Sequence, residues 1–288
     1  MFDDVIALEG EEIFPSFQKA AIIFDLDDTL MVEKAVSDEA LRESACFALK
    51  RHGVKVNQFV RDASLHAKSL WKEGSSLPYC QFIGISAFEC LWGNFEGESN
   101  DLRQLRRWSQ TYRVEVFDRA LREQKIEDLQ GAHELATTFA AARRRLQRLM
   151  PDAHETLARL SSTYQLALLT NGAPDLQREK IAASGLETFF QAVIVSGEYG
   201  IGKPRSEIFH HLTSELGVNP AEAVMVGNSL ESDIAGAQNV GMTSIWIEVA
   251  GHEERAEVKP DFTIQNLAEI PAILKRLSLT YATVKSSG

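Results

Sequence analysis

A short apolar run that ends in three carboxylates constrains this chain more than any other stretch of its sequence. Residues 21–24 read Ala-Ile-Ile-Phe, and Asp25, Asp27 and Asp28 follow almost at once. The length of the run and its β-branched residues predict a buried strand. Ligands of open parallel α/β sheets bind where the carboxyl ends of the strands lie, here called the carboxyl rim, so we expect Asp25 and Asp27 to stand there together. Two carboxylates this close repel each other unless a cation lies between them or one holds a proton.

The same three carboxylates are also compatible with an acidic turn or with part of a calcium-binding loop. An EF-hand loop needs a glycine and a glutamate at set positions, and neither follows here. The calcium loop is therefore excluded, and the choice between a turn and a catalytic pair depends on the rest of the chain.

The second half of the chain alternates between predicted strands and predicted helices. Strands are predicted at 165–169, 192–195, 223–226 and 243–247, with glycines ending the helices between them. This alternation indicates right-handed βαβ crossovers and a parallel sheet, which the short run at 21–24 must join. The carboxyl rim then gathers the polar residues that follow the strands, namely Asp25, Asp27, Thr170, Asn171, Lys203, Asn228 and Asp233.

Residues 37 to 149 carry almost no strand signal and predict a block of helices. One predicted helix face is formed by Leu41, Ala45, Ala48 and Leu49, and another by Leu135, Phe139, Ala142, Leu146 and Leu149. The block leaves and rejoins the sheet at the carboxyl rim, so it can cover that rim as a lid. We predict an amino-terminal extension at 1–18, an α/β core domain at 19–35 and 150–288, and an all-helical cap domain at 36–149.

Composition and charge exclude several classes of function. The chain has 288 residues, of which 44% are hydrophobic, as is ordinary for a soluble globular protein. Its net charge of −11 argues against nucleic acid or an anionic membrane as the main partner, because both require a basic face. The three cysteines lack metal-site spacing, and neither a signal peptide nor an apolar run of about 18 residues is visible. We expect a cytoplasmic protein with reduced thiols, either a monomer or a dimer.

Four short segments, in this order, resemble the four motifs of the haloacid dehalogenase-like (HAD) superfamily. They are Asp25-Leu-Asp27-Asp-Thr29, Thr170-Asn171-Gly172, Gly202-Lys203-Pro204 and Gly227-Asn228-Ser229-Leu-Glu-Ser-Asp233. The resemblance extends from about residue 20 to residue 275. It implies an α/β fold with a Rossmann-like, doubly wound parallel sheet and an inserted helical cap of the type-one subgroup. Residues 82–85, 88–95, 169–172 and 177–181 are further similar to bacillus-type phosphoserine phosphatases and next to N-acylneuraminate-9-phosphatases.

The resemblance implies a phosphomonoester hydrolase that works through an aspartyl phosphate on a small phosphorylated metabolite. Asp25 would attack phosphorus, and Asp27 would protonate the leaving oxygen and then take a proton from the hydrolytic water. The hydroxyl of Thr170 and the backbone N–H of Asn171 would hold phosphoryl oxygens. Lys203, a compact point charge, would neutralise negative charge on Asp25 and on the transferred group.

The implied cofactor is Mg²⁺, which prefers few protein ligands together with waters. It would be held by Asp25, the backbone carbonyl of Asp27 and Asn228, with Asp233 binding directly or through a water. Many relatives carry Asp at the position of Asn228, so one negative charge is missing here. We therefore expect weaker Mg²⁺ binding than in an Asn228→Asp variant.

Several alternatives remain for the activity and the substrate. O-phosphoserine is the favoured substrate, with nucleoside monophosphates, sugar phosphates and FMN as alternatives. A haloacid dehalogenase is disfavoured because it has no leaving oxygen for Asp27 to protonate. A non-catalytic binding protein on the same fold is disfavoured because all four motif positions are chemically competent. Residues 197–203 also fit a phosphate-loop pattern, but Pro204 stands where that loop needs Ser or Thr.

The sequence gives little information about which cap side chains face the substrate. Trp92, Asn94, Phe95 and Arg143 are the candidates for that contact. The arginine run at 143–145, with Arg148, is more typical of a solvated helix face than of a substrate clamp.

Overall fold

Six parallel strands form a single sheet in this computed structural model, which describes residues 20–249 and 258–277. In chain order the strands are β1 (Ala21–Phe24), β2 (Gln165–Thr170), β3 (Ala192–Val195), β4 (Ala223–Gly227), β5 (Thr243–Ile247) and β6 (Phe262–Ile264). Their order across the sheet is β3, β2, β1, β4, β5, β6, which is that of a Rossmann-type doubly wound sheet. Phe24 at the end of β1 is paired with Leu168 of β2 and Val226 of β4. The carboxyl end of β1 therefore lies at the topological switch point, where ligands bind.

Residues 34–145, between β1 and β2, contain five α-helices and are here called the helical insertion. They are α1 (Lys34–His52), α2 (Val56–Glu73), α3 (Leu77–Ile83), α4 (Asn100–Arg122) and α5 (Leu129–Arg145). Their buried side chains form a hydrophobic cluster in which the ring of Phe117 packs against the rings of Phe59 and Phe139. The predicted all-helical insertion is thus present, whereas the domain boundaries at residues 36 and 149 stay a prediction.

Helices cover both faces of the sheet. They are α6 (Ala153–Leu160), α7 (Pro174–Ser184), α8 (Ser196–Tyr199), α9 (Ser206–Leu216) and α10 (Ala235–Asn239), and residues 270–277 are also helical. Ile22 and Phe24 of β1 pack on the face that α6 covers, while Ala21 and Ile23 pack on the face that α9 covers. Burial on both faces explains why β1 is a continuous apolar run instead of an alternating one. Among the described residues, no helix is both long and apolar enough to cross a membrane.

Two expectations from the sequence differ from the structure, and a third concerns residues that the structure does not describe. Leu49 is 45% exposed although Leu41, Ala45 and Ala48 are buried, because consecutive residues of a helix point about 100° apart. Leu149 lies beyond the end of α5 and forms an isolated bridge with Met31 instead of extending the helix face. The amino-terminal extension predicted at 1–18 lies outside the described residues.

Candidate active site

Asp25 stands immediately after β1, at the switch point of the sheet, and is 6% exposed. Its backbone N–H donates to the carbonyl of Val226 at 2.9 Å, which extends the pairing of β1 with β4 and sets the position of the carboxylate. Oδ1 accepts from Lys203 Nζ at 2.6 Å, and Oδ2 accepts from the hydroxyl of Thr29 at 3.2 Å. Burial raises the pKa of Asp25 to about 7, because the charge of Lys203 offsets the loss of hydration only in part. A cation beside Asp25 would keep it ionised at neutral pH.

Lys203 reaches this carboxylate from the loop after β3. Its Nζ donates to Asp25 Oδ1 at 2.6 Å, to Asp233 Oδ1 at 2.7 Å and to the carbonyl of Leu169 at 2.7 Å. Asn171 fixes the loop, because its Oδ1 accepts from the Lys203 N–H at 2.8 Å and its Nδ2 donates to the Lys203 carbonyl at 3.0 Å. Burial alone would lower the pKa of Lys203, but the two carboxylates outweigh it and raise this pKa. The site therefore holds a permanent positive charge between two buried carboxylates.

Asp233 enters the site from the segment after β4. Its Oδ2 accepts from the N–H of Ser229 at 3.0 Å, and the backbone N–H of Ile234 closes the π-helical turn Leu230–Ile234 on the Ser229 carbonyl at 3.1 Å. Gly227 is required here, because a Cβ at this position would lie 2.3 Å from Asp233 Oδ2. The close approach of strand end and carboxylate explains the glycine of the fourth motif.

The oxygen donors beside Asp25 fit a magnesium ion. The hydroxyl of Thr29 lies 3.2 Å from Asp25 Oδ2 and 3.5 Å from Asn228 Oδ1, so these two oxygens face the same space. Within the described ranges, no group of three His, Cys, Asp or Glu side chains is arranged to hold a metal. A magnesium site here would instead use one carboxylate, one amide oxygen and the backbone carbonyl of Asp27. Such an all-oxygen set with few protein ligands suits Mg²⁺.

Both carboxylate oxygens of Asp27 are bound by side chains of α7. Lys180 Nζ donates to Oδ1 at 2.9 Å and to Oδ2 at 3.0 Å, and Gln177 Nε2 donates to Oδ2 at 2.9 Å. Burial alone would raise the pKa of Asp27, but the Lys180 charge and the Gln177 hydrogen bond outweigh it and lower this pKa. No role for Gln177 or Lys180 was predicted from the sequence. Their spacing of three places them on one helix face. Both lie in the segment 177–181, whose similarity to phosphoserine phosphatases could have indicated a role in the site.

Thr170 and Asn171 lie side by side at the end of β2 but differ in their access to the site. Thr170 is fully buried, and its hydroxyl accepts a hydrogen bond from Gln177 Nε2. Asn171 lines the cavity above Asp25. Thr170 is absent from the lining of that cavity, so its contact with a phosphoryl oxygen stays a prediction.

A cavity of about 340 Å³ lies over the carboxyl rim, between the sheet and the helical insertion. It brings together six of the seven predicted site residues, namely Asp25, Asp27, Asn171, Lys203, Asn228 and Asp233. Its opposite side is formed by Gly84, Ser86 and Glu89 of the insertion and by Glu33, which precedes α1. The volume is that of a pocket for a small molecule.

The four cap residues proposed to contact a substrate do not line this cavity. Trp92 and Phe95 are fully buried, Arg143 is 1% exposed, and Asn94 lies on the outer surface. The interpretation of Arg143 as part of a solvated helix face is also wrong. Its guanidinium stacks 4.8 Å from the ring centre of Trp92 and pairs with Glu33, which lies 110 positions earlier in the chain. A local sequence pattern cannot reveal a contact between residues so far apart along the chain.

Comparison with known proteins agrees with this arrangement. The family model for haloacid dehalogenase-like hydrolases matches residues 19–241. Phosphoserine phosphatase from Thermus thermophilus is 36% identical over 250 residues, which cover 86% of this chain and 96% of that protein. Human N-acylneuraminate-9-phosphatase is 34% identical over 261 residues, covering 89% and 94% of the two chains.

A solved structure shows the same fold. The HAD-hydrolase YfnB from Bacillus subtilis, in a crystal structure bound to magnesium, superposes with a TM-score of 0.62 at 22% identity and covers 89% of this chain and 99% of that one. The sheet order, the motifs at the carboxyl rim and these matches agree. The chain belongs to the haloacid dehalogenase-like hydrolase family.

Proposed function

We propose that this hydrolase is a Mg²⁺-dependent phosphomonoesterase that works through an aspartyl phosphate. The observation that supports this most is the buried Asp25 carboxylate, bound to Lys203 and placed beside oxygen donors that suit Mg²⁺. A second carboxylate, Asp27, follows two residues later and lines the same cavity. It favours a phosphatase over a haloacid dehalogenase, because only the phosphatase has a leaving oxygen to protonate.

The reaction has two steps that use the same two aspartates. In the first, the negative charge of the bound phosphate ester favours uptake of a proton by Asp27. An Asp25 oxygen then forms a bond to phosphorus, the ester P–O bond breaks, and Asp27 gives its proton to the leaving oxygen. In the second, water attacks the phosphorus of the aspartyl phosphate while Asp27 takes its proton, which frees phosphate and restores both carboxyl groups. Lys203 offsets negative charge on the phosphoryl group, and one group of this kind is worth about 10² to 10³ in kcat.

The metal would be held by Asp25, the Asp27 carbonyl and Asn228, with Asp233 binding directly or through a water. When bound, Mg²⁺ supplies positive charge that screens the phosphoryl oxygens from the attacking carboxylate. The backbone N–H of Asn171 and the hydroxyl of Thr170 are proposed to bind the remaining phosphoryl oxygens.

O-phosphoserine is the first substrate to test. The Thermus phosphoserine phosphatase matches most of both chains, which supports this choice. N-acylneuraminate 9-phosphate, nucleoside monophosphates, sugar phosphates and FMN are the alternatives. We further propose that residues 36–149 act as a cap over the rim. The free thiols Cys46, Cys80 and Cys90 agree with a cytoplasmic location.

A panel of phosphomonoesters assayed with Mg²⁺ and with EDTA tests the proposal. We expect phosphate release with Mg²⁺, its loss on chelation, and O-phosphoserine among the best substrates. The Asp25→Asn variant should keep its circular dichroism spectrum and lose turnover by at least about 10³-fold, because it lacks the nucleophile. Undiminished hydrolysis in EDTA would exclude the metal. Chloride release from 2-chloropropionate without any phosphatase activity would identify a dehalogenase.

A further inference from the structure

A buried cluster of five charged side chains joins Asp27 to the helical insertion. Lys180, which is fully buried on α7, lies at its centre. Its Nζ lies 2.9 Å and 3.0 Å from the two Asp27 oxygens, 3.1 Å from Glu33 Oε2 and 3.0 Å from Glu89 Oε1. Arg143 of α5 pairs with the same Glu33 oxygen. The three donor hydrogens of one ammonium are thus shared among three carboxylates, two from the segment after β1 and one from the insertion.

A gain in folding stability does not explain why the chain buries such a cluster. Removing charged groups from water is costly, and apolar side chains of similar volume often stabilise a protein as well or better. The cluster also includes Asp27, the carboxylate that exchanges a proton in the proposed reaction. Gln177, one turn earlier on α7, donates to the same Asp27 carboxylate at 2.9 Å. Both side chains of α7 in this cluster therefore donate to the Asp27 carboxylate.

We propose that Lys180 is a positioning residue that holds the Asp27 carboxylate in place for proton transfer to the leaving oxygen. This inference rests on the phosphomonoesterase function proposed above. Asp27 has to face the leaving oxygen when the ester P–O bond breaks, and a misplaced carboxyl group transfers a proton poorly. The contacts of Lys180 Nζ at 2.9 Å and 3.0 Å fix the direction of this side chain before the substrate reacts. Glu33 and Glu89 keep Lys180 in place by accepting its other two hydrogens.

The dependence of the reaction on the leaving group tests this role. An alkyl phosphate such as O-phosphoserine or glycerol 2-phosphate needs full protonation of its leaving oxygen, whereas p-nitrophenyl phosphate releases a stable anion and needs little. In Lys180→Gln we expect kcat/KM for the alkyl ester to fall by about 10²-fold, within the range of general acid catalysis. For p-nitrophenyl phosphate the fall should stay below about threefold. Gln177→Leu should show the same selectivity with a smaller loss.

Glu179 provides the matched control on the same helix. It pairs with Arg144 of the insertion at 2.8 Å, is about one-third exposed and has no contact with Asp27 among the interactions of the described residues. Glu179→Gln therefore removes a contact between α7 and the insertion without changing Asp27, and both esters should keep their rates within about twofold.

Three results would overturn the role of Lys180. They are an equal loss on both esters, no loss on the alkyl ester, or an alkyl-selective loss in Glu179→Gln as well. Urea unfolding of each variant checks its fold. If Lys180→Gln does not fold, the alkyl-selective loss is measured in Glu89→Gln, which removes one of the two other carboxylates that hold Lys180. Absence of turnover by the wild-type protein on every phosphomonoester would instead refute the proposed function.

Discussion

Replacing Lys203 with methionine tests the electrostatics on which the site depends. In the metal-free protein, Lys203 Nζ lies 2.6 Å from Asp25 Oδ1 and 2.7 Å from Asp233 Oδ1, and all three side chains are buried. Methionine fills a similar volume but leaves both carboxylates without their cation. Removing one partner of a buried ion pair costs about 3 to 5 kcal/mol, and we expect a loss of this size at pH 8.

The free energy of unfolding that Lys203→Met loses should depend on pH, because Asp25 can take up a proton. Burial raises its pKa to about 7 even with Lys203 present, and without Lys203 the pKa rises further. A carboxyl whose pKa is higher in the folded than in the unfolded state stabilises the fold at low pH, and this contribution disappears as the pH rises through the folded value. At pH 5 Asp25 is neutral and needs no counterion, so the loss of stability should be about half of that at pH 8 or less.

Urea unfolding in EDTA at pH 5 and pH 8 measures both values. Lys34→Met is the matched control, because Lys34 makes an exposed pair with Asp38 at 2.9 Å. Lys34→Met should lose less than about 1 kcal/mol of unfolding free energy at either pH. The reasoning is wrong if Lys203→Met loses the same free energy of unfolding at both pH values, or no more than the Lys34 variant.

Two further predictions concern the metal and the cluster around Lys180. Asn228→Asp should lower the midpoint of a Mg²⁺ titration of activity by at least about tenfold, because a unit charge pair at 4 Å is worth about 4 kcal/mol before desolvation; an unchanged midpoint would show that residue 228 is not a ligand. Burial raises the pKa of Glu33 to about 7, against the opposing charges of Lys180 and Arg143, so its stabilising contribution is lost as the pH rises through 7. In metal-free Glu33→Gln, the free energy of unfolding should therefore fall less between pH 6 and pH 8 than in the wild type, and an equal fall in urea unfolding would contradict this.

The predicted elements of the α/β core agree with the structure because each has a local cause. The strand predicted at 192–195 and that at 243–247 have the predicted bounds, since a short apolar run is buried on both faces of a parallel sheet. A glycine ends α7 as predicted: the helix begins at Pro174 and stops before Gly185, because proline suits the first turn and Gly185 takes the left-handed conformation. The strand order across the sheet was not predicted, because it depends on how the crossovers pack.

The location of the candidate site was also predictable from local sequence features. In a parallel sheet every strand ends at one rim, so the residues after the strands meet there whatever the insertion does. Asp25, Asn171, Lys203 and Asn228 could therefore be placed around one cavity from the order of the elements alone. The substrate-facing cap residues could not be placed, since their direction depends on how the insertion packs over the rim.

The sequence by itself determined the fold class, the family and the chemical groups at the rim, because these follow from local periodicity and from residues next to strand ends. Only the tertiary structure showed that Lys180 binds Asp27 across 153 positions and Glu89 across 91. It also showed that Arg143 is buried against Trp92. Such contacts depend on the packing of α7 against the helical insertion, and no spacing along the chain encodes which charges that packing brings together.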